Sequence, residues 1–212
     1  MDCDSTNYDV LQRAAEGVKD VPGLILEIGT RAGGSLKYII DGLFAASDLK
    51  RTIISVDPYG QIPYIGSDTS VLSGGYNNNY TNDMKLEMMR DVCDYVLNIQ
   101  KLNMHCKYNI IFYNMLDSQY MEYFKDGVPV FDDSEGHIIN QYALVFFDGP
   151  HSTQSVLDEI IWCNDRSRSG TTFCFDDVNK EYYNHKKITD RLIELGYRHI
   201  ETINAKETWK KP

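Results

Sequence analysis

The sequence lacks the features that mark several classes of protein. No segment approaches the roughly 20 consecutive apolar residues that a helix needs to cross a bilayer. The polar and acidic start, MDCDSTNYDV, does not resemble a secretory signal. The five cysteines are widely spaced and form no Cys-x-x-Cys pair, which argues against a disulfide framework and against a structural zinc site. We therefore expect a cytoplasmic protein with reduced thiols.

Positive charge is also scarce. Lysine and arginine number 21 against 31 aspartates and glutamates, which gives a net charge of −10. The densest basic group is Lys206, Lys210 and Lys211 near the C-terminus. A surface this acidic repels phosphate backbones and anionic lipids, so we expect neither nucleic acid nor a membrane as a partner. Acidic clusters instead favour cations.

Length and patterning predict one α/β domain over residues 1–212. Apolar residues make up 42% of the chain, as in globular proteins. Short β-type segments alternate with helical patterns, and this alternation predicts a doubly wound, mainly parallel sheet with helices on both faces. Such sheets bind ligands at the carboxyl ends of their strands. The strands are predicted at 23–28, 52–56, 108–113, 142–147, 171–175 and 198–203.

Two segments interrupt the alternation of strands and helices. Residues 58–82 are rich in glycine, tyrosine and asparagine, and a connection of that length is typical of a lid over an active site. Residues 126–141 form a polar insertion before the fourth predicted strand, on the side where we expect substrate.

A glycine-rich turn, Gly29-Thr30-Arg31-Ala32-Gly33-Gly34-Ser35, follows the first predicted strand. Such a turn lets the backbone approach a ligand, and the helix after it presents free N–H groups. The spacing is neither the Gly-x-Gly-x-x-Gly dinucleotide pattern nor a Walker A loop. On the glycines alone, an ordinary strand-to-helix turn is an equal alternative.

Polar residues also end the next two strands. Asp57 follows the second strand, where a carboxylate can accept hydrogen bonds from both ribose hydroxyls. Asp117 and Ser118 follow the third strand. Asp117 can accept a hydrogen bond from an adenine amino group, whereas Ser118 is alternatively a helix cap.

Acidic residues end the fourth and fifth strands as well. Asp148 follows the fourth, and the pair Asp176 and Asp177 follows the fifth. We expect these strands to be neighbours, so that the three carboxylates meet at one edge of the sheet. Like charges at short distance favour a bound cation, and oxygen ligands suit Mg²⁺, Mn²⁺ or Ca²⁺. His151, three residues beyond Asp148, is a candidate general base.

Together these motifs resemble those of class I S-adenosylmethionine-dependent methyltransferases. The similarity covers about residues 22–203. It is greatest to the metal-dependent O-methyltransferases that act on macrolide sugars and to their wider family, which includes cephalosporin-hydroxylase-like proteins. The motifs that carry it are Glu27-x-Gly29, Gly33-x-Ser35, Asp57, Asp117, Asp148-Gly-x-His151 and Phe-Asp176-Asp177.

The resemblance implies a fold, a reaction and a set of roles. The fold is Rossmann-like, with seven strands in the order 3-2-1-4-5-7-6, and residues 207–210 are a short candidate for the reversed last strand. The reaction is methyl transfer from S-adenosylmethionine to a hydroxyl of a sugar or a small polyhydroxyl acceptor, with Mg²⁺ bound and His151 as base. The implied cofactor-binding residues are Glu27, Gly29, Thr30, Gly33 and Ser35 for the methionine part, Asp57 for the ribose, and Asp117 with Ser118 for the adenine. The implied metal ligands are Asp148, Asp176 and Asp177.

Two other functions stay open from the sequence. A dinucleotide-dependent oxidoreductase is disfavoured by the interrupted glycine pattern. A non-catalytic α/β domain that binds nucleosides has no need of an acidic cluster beside a histidine. The acceptor and the oligomeric state are not encoded in any motif of the chain.

Overall fold

The computed structural model describes residues 6–59, 81–131, 135–150, 152–179 and 184–212. The helices are α1 (Asp9–Glu16), α2 (Gly34–Ala45), α3 (Asn82–Leu102), α4 (Asp117–Tyr123), α5 (Thr153–Asn164) and α6 (His185–Glu194). The strands are β1 (Leu24–Ile28), β2 (Lys50–Val56), β3 (Lys107–Tyr113), β4 (Val128–Phe131), β5 (Gly136–Ile139), β6 (Tyr142–Phe147), β7 (Ser167–Phe175), β8 (Arg198–Ile203) and β9 (Lys206–Lys210).

Seven of these strands form one sheet in the order β3-β2-β1-β6-β7-β9-β8. The first five run parallel, whereas β9 pairs antiparallel with both β7 and β8. When the β4–β5 hairpin is left out of the count, this order is the predicted 3-2-1-4-5-7-6. The predicted fold class is therefore confirmed, and the carboxyl ends of β1, β2, β3, β6 and β7 lie along one edge.

The sheet lies between two layers of helices, and its central strands β1 and β6 are buried on both faces. Along β1, Ile25 packs into the core on the side of α1, α2 and α3. Leu24, Leu26 and Ile28 pack into the core on the side of α4, α5 and α6. This arrangement follows from the period of two along a strand, and it explains why the central strands are apolar at consecutive positions.

The two predicted interruptions have different outcomes. Most of the predicted lid, residues 60–80, lies outside the described residues. Within the predicted insertion 126–141, β4 and β5 form a separate two-stranded antiparallel sheet. The role of the lid stays a prediction. The hairpin contributes Phe131 and His137 to a cleft at the opposite end of the sheet from the predicted site, so the structure does not place this part of the insertion beside that site.

A cleft of about 1020 Å³ lies at the opposite end of the sheet from the predicted site. Residues at the start of β2 and β3, such as Lys50 and Lys107, line it together with the exposed Met104 and Phe131. Because parallel sheets bind ligands at the other end of their strands, this cleft is not the candidate active site. None of the described helices is both long and apolar enough to cross a bilayer.

Candidate active site

The turn between β1 and α2 depends on two glycines. A Cβ on Gly29, whose φ is +90°, would lie 2.0 Å from the carbonyl oxygen of Asp148. Gly33 is the residue before α2 and has a φ of +77°. Side chains are strained in that conformation, and glycine is not. Gly29 therefore lets the end of β1 approach the end of β6, and Gly33 lets the turn enter the helix.

Three predicted cofactor-binding side chains line this turn. Glu27 on β1 is fully buried and accepts a hydrogen bond from the hydroxyl of Ser35 in the first turn of α2. Thr30 is buried, and its hydroxyl lies 2.5 Å from the hydroxyl of Ser55 on β2. The structure thus brings Glu27, Thr30 and Ser35 together around the glycine turn, as the sequence predicted.

Asp57 connects the end of β2 to the same turn. Its side chain is buried, and its Oδ2 accepts hydrogen bonds from the backbone N–H groups of Thr30 (2.9 Å) and Arg31 (2.7 Å). Two backbone donors on one oxygen favour the ionised carboxylate. Asp57 therefore holds the turn in addition to the ribose-binding role that the resemblance implies for it.

Asp117 and Ser118 begin α4 at the end of β3. Asp117 is the first helical residue and is partly buried, whereas Ser118 is exposed. The residue before the helix is Leu116, and its N–H donates to Oε1 of Gln119. The alternative interpretation of Ser118 as the helix cap is therefore wrong, because the helix begins one residue before it.

The acidic residues after β6 and β7 lie within electrostatic reach of one another. Burial and the nearby Asp176 raise the pKa of Asp148 well above its usual range, with smaller contributions from Glu27 and Asp177. Asp176 is buried, and one of its oxygens accepts the N–H of Asp177 at 2.8 Å. Asp177 has a φ of +57°, in the left-handed region that aspartate tolerates. Asp148 and the pair Asp176 and Asp177 thus follow two neighbouring parallel strands at one edge of the sheet.

Lys206 lies among these carboxylates, which the sequence analysis did not predict. Its side chain is fully buried, and its Nζ donates to Oδ2 of Asp176 at 2.6 Å. The same ammonium group lies 4.5 Å from the centre of the Tyr8 ring and opposes the rise in the pKa of Asp148. The acidic edge therefore contains a built-in positive charge.

Lys206 was missed because the sequence places it in the basic group at the C-terminus. Antiparallel pairing sets Phe175 opposite Glu207, and one further step along this register sets Asp176 opposite Lys206. An acidic residue at the end of a strand and a lysine at the start of an antiparallel neighbour is a signal that could have revealed the pair.

Glu159 was also missed. It lies on α5, one position before Ile160, and its side chain is fully buried. The spacing of Val156, Glu159, Ile160 and Cys163 is that of one helix face, and all four are buried. A glutamate at a position where the helix pattern predicts an apolar residue is the signal that could have revealed a buried carboxyl group here.

The metal site stays a prediction. Among the residues that the structure describes, no group of three acidic, histidine or cysteine side chains is arranged to hold a metal ion. Both oxygens of Asp176 already accept hydrogen bonds. His151, the predicted base, lies outside the described residues.

The comparisons with known proteins agree with the fold. The similarity to the calicheamicin methyltransferase CalS11 covers 96% of this chain and 77% of CalS11, with 13% identity and a TM-score of 0.67. The similarity to the O-methyltransferase NovP covers 96% of this chain and 78% of NovP, with 18% identity and a TM-score of 0.56. The similarity to an O-methyltransferase from Bacillus cereus in complex with SAH covers 99% of this chain and 83% of that protein, with 14% identity and a TM-score of 0.53. At these identities the similarity shows a shared fold.

Sequence comparison gives the family. No curated protein sequence matches the chain. The sequence model of a family described as a methyltransferase domain matches residues 26–178, which run from β1 past the end of β7 and include the glycine turn and every predicted acidic residue of the site. The oxidoreductase alternative loses its support because the matched family transfers methyl groups. The chain therefore belongs to the methyltransferase domain family.

Proposed function

We propose that this protein transfers a methyl group from S-adenosylmethionine to a hydroxyl of a sugar or a small polyhydroxyl compound. The observation that carries the proposal is the match of the methyltransferase family to the segment that contains the glycine turn and the acidic strand ends. CalS11 is described as a TDP-rhamnose 3′-O-methyltransferase, and it shares the fold over 96% of this chain. That likeness supports a sugar as the acceptor.

The residues around the β1–α2 turn fit the cofactor. Gly29 and Gly33 keep side chains out of the turn, so that the backbone can approach a ligand. Glu27, Thr30 and Ser35 would bind the methionine part together with these glycines. An S-adenosyl group supplies an electrophilic methyl carbon on a sulfonium, which leaves as a neutral thioether.

The nucleoside part would extend along the ends of β2 and β3. Asp57 would accept hydrogen bonds from the ribose hydroxyls, because its carboxylate is already fixed by two backbone donors. Asp117, with Ser118 beside it, would face the adenine. Both aspartates lie at strand ends on the edge where parallel sheets bind ligands.

The acceptor hydroxyl would lie on the side of β6 and β7. The acceptor oxygen forms a bond to the methyl carbon as the carbon–sulfur bond breaks, so alignment of the two groups supplies much of the rate. His151 would remove the hydroxyl proton. Mg²⁺, or Mn²⁺ or Ca²⁺ in its place, would be held by Asp148, Asp176 and Asp177, and it would lower the pKa of the hydroxyl.

Charge at this edge supports the cation. Lys206 pairs with Asp176, and a divalent ion would add further positive charge among Asp148, Asp176 and Asp177. The raised pKa of Asp148 has burial as its largest cause and neighbouring carboxylates as the next, which is the electrostatic environment that a cation relieves.

Calorimetry and a transfer assay test this function. We expect the protein to bind S-adenosylmethionine and S-adenosylhomocysteine but not NAD, and to label nucleotide-linked sugars or free polyols when supplied with methyl-labelled cofactor. Binding of NAD alone would contradict the proposal. Binding of S-adenosylhomocysteine without transfer to any sugar or polyol, or with transfer to a catechol alone, would contradict the proposed acceptor class. The assignment of the cofactor would still hold.

Metal dependence is tested separately. EDTA should abolish transfer and Mg²⁺ should restore it, while S-adenosylhomocysteine affinity stays unchanged because its proposed contacts lie on β1, β2 and β3. The variant Asp148→Asn should need more Mg²⁺ for the same rate. If the rate of methyl transfer is unchanged by EDTA, the reaction does not need a metal ion, and the protein is a metal-independent methyltransferase.

The base is tested by two histidine variants. His151→Ala should lower the transfer rate by about 10²- to 10⁴-fold without changing cofactor affinity, as loss of a general base predicts. His105→Ala is the matched control, because His105 is exposed after the end of α3. If His151→Ala transfers methyl groups as fast as His105→Ala, His151 is not the general base.

A further inference from the structure

The buried carboxyl group of Glu159 has no role in the function proposed above. Glu159 points from α5 into the protein interior, and both of its carboxyl oxygens are shielded from solvent. Within the described part of the chain, no N–H or hydroxyl group donates a hydrogen bond to either oxygen. An ionised carboxylate in that position is unfavourable, because its charge is neither solvated nor paired.

The carboxyl group of Asp117 lies close enough to Glu159 to act on its pKa. Two carboxyl groups can form a hydrogen bond only when one of them carries a proton. Burial, followed by the charge and hydrogen bond of Asp117, raises the pKa of Glu159 well above its usual range. Glu159 is fully buried whereas Asp117 is only partly buried, so desolvation favours the neutral form of Glu159.

Packing between α4 and α5 fixes the relative position of these two residues. The indole N–H of Trp162, three residues after Glu159, donates to the carbonyl oxygen of Met121 at 3.1 Å. The Trp162 ring also meets the Tyr120 ring edge to face, with centroids 5.9 Å apart. The carboxyl pair therefore connects the first residue of α4 to a helix that packs beneath it.

We propose that Glu159 is a positioning residue for the nucleoside, and that its neutral carboxylic acid donates a hydrogen bond to Asp117. This inference rests on the proposed function, in which Asp117 faces the adenine. With one oxygen of Asp117 fixed by Glu159, the carboxylate presents its other oxygen as an acceptor toward the base. An acceptor at that point pairs with the amino group of adenine and repels the C6 carbonyl of hypoxanthine, so the pair selects adenosine over inosine.

Three variants separate this role from simple packing. Glu159→Gln keeps a neutral donor of the same length. Glu159→Met keeps the length and removes the donor, and it is expected to fold because an apolar side chain replaces a buried polar group. Asp158→Asn is the matched control, since Asp158 is the preceding residue of α5 and its side chain is exposed.

Calorimetry with S-adenosylhomocysteine and its deaminated analogue, S-inosylhomocysteine, gives the result. We expect the wild type, Glu159→Gln and Asp158→Asn to prefer the adenine compound by about tenfold or more, consistent with loss of one charge-assisted hydrogen bond. Glu159→Met should bind the adenine compound about tenfold more weakly and bind the inosine compound nearly as before. The preference itself is the readout, because a general loss of packing weakens both ligands equally.

Some outcomes would overturn the inference. It fails if Glu159→Met keeps the full preference, if Glu159→Gln loses as much as Glu159→Met, or if both ligands weaken together in Glu159→Met. If Glu159→Met does not fold, Glu159→Leu provides the same donor-free comparison. Failure of the wild type to bind S-adenosylhomocysteine at all would instead contradict the proposed function.

Discussion

Asp57 and Asp176 end two strands of the same sheet, and their charges are stabilised in different ways. Both side chains are buried, with 3% and 4% of their surface exposed. Asp57 accepts hydrogen bonds from two backbone N–H groups of the glycine turn. Asp176 accepts one from the ammonium group of Lys206. Two backbone dipoles therefore contact the first carboxylate, whereas a full opposite charge contacts the second.

This difference matters for what each end of the site can bind. Two backbone donors meet Oδ2 of Asp57, and a carboxylate is a good acceptor for hydroxyl donors such as those of a ribose. At Asp176 the ion pair with Lys206 offsets part of the negative charge of the acidic edge. Substitutions other than proline keep the backbone donors of Thr30 and Arg31, whereas replacement of Lys206 by an uncharged residue removes the ammonium donor to Asp176.

Removal of that lysine gives the largest expected effect. Lys206→Met leaves the carboxylate of Asp176 buried without its cation, and breaking a buried ion pair from one side costs about 3–5 kcal/mol. Urea unfolding should show that loss in the free energy of unfolding. The double variant Lys206→Met, Asp176→Asn should recover part of it, because no buried charge is left unpaired.

An exposed ion pair provides the control for Lys206. Lys186 contacts Asp190 on α6, and its side chain is 80% exposed. Lys186→Met should cost no more than about 0.5 kcal/mol, as for surface pairs in general. A loss below about 1 kcal/mol in Lys206→Met would mean that Asp176 does not depend on the lysine, and the contrast with Asp57 would disappear.

Substitution of Asp57 has a smaller expected effect on binding. Asp57→Ala removes the acceptor of two turn N–H groups together with the proposed ribose contact, so S-adenosylhomocysteine affinity should fall by about 1.5–3 kcal/mol. Asp57→Asn keeps an oxygen acceptor for the turn and loses the charge, and calorimetry should place it between the wild type and Asp57→Ala. If Asp57→Ala binds S-adenosylhomocysteine as tightly as the wild type, Asp57 does not bind the ribose.

The sequence pattern predicted the edge of the sheet that carries polar residues, whereas the strand order was implied by the family resemblance. Strand composition shows which segments are buried on both faces, and the parallel arrangement then fixes the edge at which Asp57, Asp117, Asp148 and Asp176 emerge. These inferences need only local patterns and a topological rule. The fold and the clustering of acidic residues could be predicted for that reason.

The groups that stabilise those acidic residues could not be predicted in the same way. Lys206 reaches Asp176 only through the antiparallel register of β9 on β7, and a sequence does not give a register between distant strands. Glu159 reaches Asp117 only through the packing of α5 against α4. The ends of strands are predictable from the chain alone, whereas the neighbours of a side chain depend on the packed structure.

Glu159 represents a third way to bury a carboxyl group, in which a proton takes the place of backbone donors or a lysine. The unfolded chain releases this proton near the ordinary glutamate pKa of about 4.3, while the folded chain keeps it to higher pH because burial and Asp117 raise the pKa. The folded state therefore binds more protons than the unfolded state above that pH, and stability falls as pH rises. The maximum slope for one group is about 1.4 kcal/mol per pH unit.

The variant Glu159→Gln isolates this effect, because glutamine is uncharged throughout. Urea unfolding of both proteins from pH 4.5 to 7.5 should show the wild type losing stability relative to Glu159→Gln as pH increases. Asp117 and Asp158 also influence Glu159, and Asp148 and Asp176 line the same small cavity; these groups are common to both proteins, so their own titration largely cancels in the difference. A difference that is constant with pH would mean that Glu159 is ionised in the folded protein, and a proton would then not be what holds this carboxyl group in the interior.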